Sequence, residues 1–84
     1  MDLRDELERV ASRLDLARFV YALRQDLSDN DEVWENPTLD RFLEAFAAWC
    51  NDMGGYFQNQ GIAEPDQPDW KLVARMLFAA STYE

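Results

Sequence analysis

The chain has 84 residues, with 17 acids against 8 bases, no His and one Cys, for a formal net charge of −9. That length suits one domain with one core, and a single Cys without His excludes an internal disulfide and a zinc site. The acidity argues against nucleic acid, whose affinity comes largely from neutralised phosphates, and against anionic membrane surfaces; it reads first as a device for solubility, and it would also steer a basic protein partner toward the chain.

Asp2 to Ala11 reads as a short helix, with Leu3, Leu7 and Val10 on one side. A helix this short is marginal alone and must dock on another element. Ser12-Arg13-Leu14-Asp15 has the form of a capping box with Asp in place of Glu. A second helix is expected from Arg13 to about Ser28, with a core stripe of Leu16, Phe19, Val20, Leu23 and Leu27. A further strip, Leu14, Ala17 and Tyr21, lies nearly opposite. It either receives the first helix or forms a partner surface.

The next stretch carries Asp26, Asp29, Asp31, Glu32 and Glu35 with no base among them. It fails the EF-hand template, because Val33 and Trp34 stand where that loop needs a ligand and a glycine. Acids just past a helix C-terminus meet the negative end of its dipole, so the cluster is a candidate contact for a basic partner as well as a solvated loop. Trp34 within it is either an anchor, its indole N–H reaching a backbone carbonyl, or a partly exposed interface residue.

Pro37 stops any preceding helix and Thr38 caps the next. Leu39, Phe42, Leu43, Phe46, Cys50, Met53 and Phe57 then recur at steps of three and four. With Trp49 and Tyr56 on one flank they span an apolar arc of roughly 140°. Phe57 stays in phase across Gly54-Gly55, which favours one helix ending at Gly61 as its left-handed cap; the alternative is a stop at Met53. Gly61 to Asp69 reads as an irregular connector, extended at Pro65 and Pro68, with Ile62 plugging it to the core. Asp69 caps a last helix from Trp70 to about Tyr83. Only Lys71, Arg75 and Thr82 form a polar edge there, so this helix should be buried and central, wrapped by the others or covered on one face by a second copy in a homodimer.

Three segments, Trp34 to Ala45, Trp49 to Gly61 and Pro68 to Leu77 with the terminal Tyr-Glu, resemble a family of small, uncharacterised bacterial single-domain proteins. The resemblance runs from Phe19 through Tyr83 and implies a single helical domain. It supplies no catalytic residue. Asn36, Tyr56 and Asn59 belong to these segments and serve either as caps and staples or, with Trp49 and Trp70, as a polar and aromatic site.

No machinery for catalysis is evident. Nucleophilic chemistry needs an activated Ser or Cys beside a base, and Cys50 sits on the apolar face. Gly54-Gly55 lacks the Lys of a phosphate loop, and the Glu-x-x-His of di-iron bundles is missing. No apolar run approaches the ~18 residues of a membrane span, and no basic segment followed by an apolar run opens the chain. The expectation is an all-α, single-domain, orthogonal or irregular bundle of four helices over residues 1–84, with the two long helices antiparallel and the C-terminal helix central. It should be cytoplasmic and free of cofactor and metal. Its expected role is a non-enzymatic module for a basic protein, similar in size and charge to immunity proteins of nuclease colicins though without their recognition motif. Self-association through the last helix and a small ligand among Trp34, Trp49, Tyr56 and Trp70 are the alternatives.

Overall fold

In the computed structural model, which describes residues 3–63 and 67–83, each of the three long helices starts at the cap its sequence supplies. Helix α1 spans Leu3–Glu8, α2 Arg13–Asn30, α3 Leu39–Gln60 and α4 Trp70–Thr82, with a 3-10 turn at Asp31–Val33 after α2. No strand occurs among the described residues. Asp2, at the expected start of the first helix, and Pro65, in the expected connector, lie outside them.

Ser12 Oγ accepts from the Asp15 N–H at 3.1 Å, and the Asp15 carboxylate accepts from the Ala11 N–H at 3.0 Å, so the cap forms but the reciprocal bond falls one residue ahead of the Ser12 N–H that a capping box uses. Thr38 Oγ1 accepts from the Arg41 N–H at 3.3 Å and Asp69 Oδ1 from the Leu72 N–H at 2.7 Å. Each such cap contributes about 1 kcal/mol. Helix α3 runs unbroken through Gly54-Gly55 and ends at Gly61, whose φ of 70° is left-handed. There the Gly61 N–H donates to the Gln58 carbonyl and the Ile62 N–H to the Phe57 carbonyl, the double closure that a left-handed glycine permits.

Helix α4 is the hub, packed against α1, α2 and α3. On one side Leu7, Val10, Phe19, Leu23 and Ala74 form a sealed cluster from α1, the turn after it, α2 and α4, with Leu16, Leu77 and Phe78 against it. Phe78 meets Phe19 edge-on at 6.4 Å between ring centres. On the other side α3 presses Ala45, Trp49 and Phe57 onto α4. Arg75 of α4 donates to the Tyr56 hydroxyl at 2.9 Å, lies over that ring, and pairs with Glu8 of α1 at 3.5 Å, so one side chain ties three helices.

Four expectations about packing change. Helix α1 does not use the Leu14, Ala17 and Tyr21 strip, which is exposed (Tyr21 is 70% exposed). It docks instead over the groove between α2 and α4, where two neighbours bury Leu7 and Val10 more fully than one would. Ile62 is exposed and plugs nothing, because its backbone N–H already closes α3 and its side chain follows that turn outward. The inward face of α3 is turned toward Trp49 and away from Leu39 and Leu43, both exposed. One neighbouring helix covers one strip, and an arc of roughly 140° needs two. The two long helices α2 and α3 therefore do not pack as a pair: among the described residues no Cα of α2 comes within 8 Å of a Cα of α3.

Candidate functional site

The segment between α2 and α3 begins with acids and ends with the Asn36-Pro37-Thr38 entry to α3. The last carbonyls of any helix have no partner within it, and here Asn36 supplies one. Its side-chain amide donates to the Ala80 and Tyr83 carbonyls at 3.0 and 2.7 Å, while its own N–H donates to the Ser81 carbonyl at 3.2 Å. Asn36 is buried, and both of its donor groups are used on the end of α4. That clamp fixes where α3 begins relative to α4.

Two residues earlier, Trp34 stacks on Phe42 of α3, with ring centres 6.3 Å apart at 25°. Its indole N–H donates to Asp26 Oδ2 at 2.8 Å. A carboxylate thus takes the place of the expected backbone carbonyl, since a charged acceptor makes the stronger bond and Asp26 on the last turns of α2 faces the loop. Trp34 is half-buried against the core cluster, as an anchor should be, with the rest of its ring in the groove described next.

Because α2 and α3 both rest on α4 without meeting, an apolar groove of about 310 Å³ remains between them. Val20, Leu23 and Leu27 form one wall, Leu39 and Phe42 the other, and Leu77 and Trp34 also line it. Its lips are open to water: Val20 is 41% and Leu39 72% exposed. Carboxylates border the lining in sequence, with Asp26 next to Leu27, Glu35 between Trp34 and Asn36, and Asp40 after Leu39. Asp29, Asp31, Glu32 and Glu35 are exposed, and none of the five acids from Asp26 to Glu35 forms an ion pair among the described residues. Asp29 accepts from the Gln25 amide, and Asp26 also from the Asn30 amide. Arg24, on the lip between Val20 and Leu27, has no ion-pair partner among the described residues.

The other residues singled out by sequence do not converge. Trp49 and Tyr56 touch, with ring centres 5.8 Å apart, but in the seam between α3 and α4. Asn59 is exposed near the end of α3. Trp70 is 45% exposed and borders a separate depression with Val10, Ala11 and Lys71. Of the four aromatic residues expected around a ligand, only Trp34 lines the groove. Val20 and Leu39 line it too, although periodicity assigns them to the core. The signal that could have found them is the width of the apolar arc on α3, which exceeds what one neighbour covers. No group of acids, Cys or His suited to a metal occurs among the described residues. Cys50 is partly buried. At the Asn36 end of the α3–α4 seam the Tyr83 hydroxyl donates to Asp52, and that bond, with some loss of solvation and the carboxylate's charge, raises the phenol above its usual value of 10.0. No described helix is long and apolar enough to cross a membrane.

Residues 12–84 match the profile of a family of unknown function, DUF7660, and the chain belongs to that family. Helix α1 lies ahead of the matched residues. No curated protein and no solved structure gives a significant match to the chain.

Proposed function

We propose that this chain, a member of a family with no assigned activity, is an acidic, non-enzymatic protein-binding module that neutralises or regulates a basic protein partner in the bacterial cytoplasm. The observation that carries the reading is the apolar groove between α2 and α3, joined at Trp34 to an acidic run, Asp26 to Glu35, that forms no ion pair among the described residues. Apolar walls give affinity through burial. A field of one sign steers a partner of the other sign and raises its association rate. The net charge of −9 extends that field beyond the groove.

The test is capture from a lysate of the source organism by the wild-type chain and by two variants. Leu39→Lys places a charge on an exposed groove lip. The set Asp29→Asn, Asp31→Asn, Glu32→Gln and Glu35→Gln removes four exposed acids. A basic protein held by the wild type at low salt, released at high salt and lost by both variants supports the reading. A captured protein that binds all three chains alike sinks it.

A second reading has one observation in its favour: about 310 Å³ lies at the low end of the range for small-ligand pockets. Arg24 on the lip would then meet an anionic head on an apolar ligand. The surrounding negative charge opposes such a ligand, so a basic protein is preferred. Self-association through α4 has less to support it, because α1, α2 and α3 all pack on that helix.

A further inference from the structure

We infer that the segment received by the groove is a single amphipathic helix about two turns long at its contact, with its apolar stripe inward and lysines or arginines along its sides. This rests on the groove reading above and adds the shape of what enters.

The walls settle the shape. Helices in contact pack about 8–10 Å apart, and both α2 and α3 contact α4 while staying out of contact with each other. A further helix laid along the gap would touch both walls and complete the ring around the groove. The chain already seals its other flank in this way: α1, with six residues, lies over α2 and α4, where Leu7 and, just past its end, Val10 are buried. The length follows from α2. Val20 to Leu27 is seven steps along the helix, about 10 Å at 1.5 Å per residue, which matches apolar side chains at i, i+3 or i+4, and i+7 of an incoming helix. An added strand is not the occupant, because the walls are helices whose backbone groups are already paired, and the described residues offer no sheet edge.

The charge comes from the border. Asp26 is held at the groove by the Trp34 indole N–H, and Glu35 and Asp40 are sequence neighbours of lining residues, as Arg41 is. Asp29, Asp31 and Glu32 precede Trp34 in the same acidic run, and together these six acids outnumber Arg24 of the lining and Arg41. Lysine or arginine beside the apolar stripe of the occupant meets these acids. A like-charged stripe would be repelled.

The test uses the full chain and three synthetic peptides of fourteen or so residues. One carries leucines at i, i+4 and i+7 with lysines elsewhere. One has the same composition with the leucines redistributed so that no face forms. One keeps the stripe but carries glutamates. Expected is binding of the first with a gain of helical circular dichroism and shifted methyl resonances at Val20, Leu27 and Leu39. The other two should bind at least tenfold more weakly, and Leu39→Lys should weaken the first at least tenfold with its melting temperature retained. Equal binding of the two lysine peptides, or binding of the first without gain of helix, overturns this inference and leaves the basic-partner reading standing. No binding by either lysine peptide overturns both.

Discussion

Phe19 and Val20 are neighbours on α2 and fare oppositely. Phe19 is 1% exposed and Val20 41%. Phe19 faces the flank that α1 closes; Val20 faces the flank shared with α3, where no helix arrives. Side-chain hydrophobicity does not account for the difference, since both belong to one apolar stripe. What decides burial here is whether a third element reaches the pair already in contact.

The sharpest way to break that comparison is to truncate both residues. Phe19→Ala should cost about 3–5 kcal/mol, the usual range for a sealed aromatic, and Val20→Ala no more than about 1 kcal/mol, since little area changes. Urea unfolding followed by Trp fluorescence reads both. Comparable losses would mean that the flank facing α3 is closed in solution. Next in size is Asn36, the buried polar group at the end of the open flank. Asn36→Ala leaves the Ala80 and Tyr83 carbonyls without their donor and should cost about 2–3 kcal/mol. Asn36→Asp should be worse at neutral pH, with a carboxylate facing carbonyls at the negative end of a helix. That variant should recover as the pH falls and the acid gains a proton it can donate. A pH-independent loss would show that the clamp is not what fixes the loop.

Local features were legible in the sequence and distant ones were not. The three caps at Ser12, Thr38 and Asp69 and the left-handed end at Gly61 follow from residues within a few positions of each helix end. So does the central place of α4, because a helix with so narrow a polar edge must be surrounded. Asn36 is different: its partners lie 44 and 47 residues away, and no local pattern identifies them. The groove was hidden for a related reason. Periodicity measures how wide an apolar face is, and Leu39 and Val20 fit that face well. It does not report how many neighbours come to cover it.

A smaller effect tests whether α3, the outer wall of the open flank, stands on its own termini. Gly61→Ala forces a side chain into the left-handed region and should cost about 1–2 kcal/mol. Gly55→Ala, with open space around the added methyl, should gain about 0.5–1 kcal/mol. A loss at Gly55 would mean that the wall needs its weak point. Smallest is the phenol of Tyr83. Its folded value is raised, so the contribution to stability is complete below the ordinary value of 10.0 and fades as pH rises through the folded one. Ultraviolet titration should place it above 10.0, and Asp52→Asn should bring it back.

The lack of any approach between α2 and α3 has a mechanical side. The distance between these walls is not set by contact of one helix with the other. It is held by α4 beneath, by the Trp34 ring against Phe42 and by Asn36 at one end. The width of the cleft therefore rests on these three supports. A guest of somewhat larger girth would press on these supports, and on the clamp directly, since Asn36 itself lines the groove.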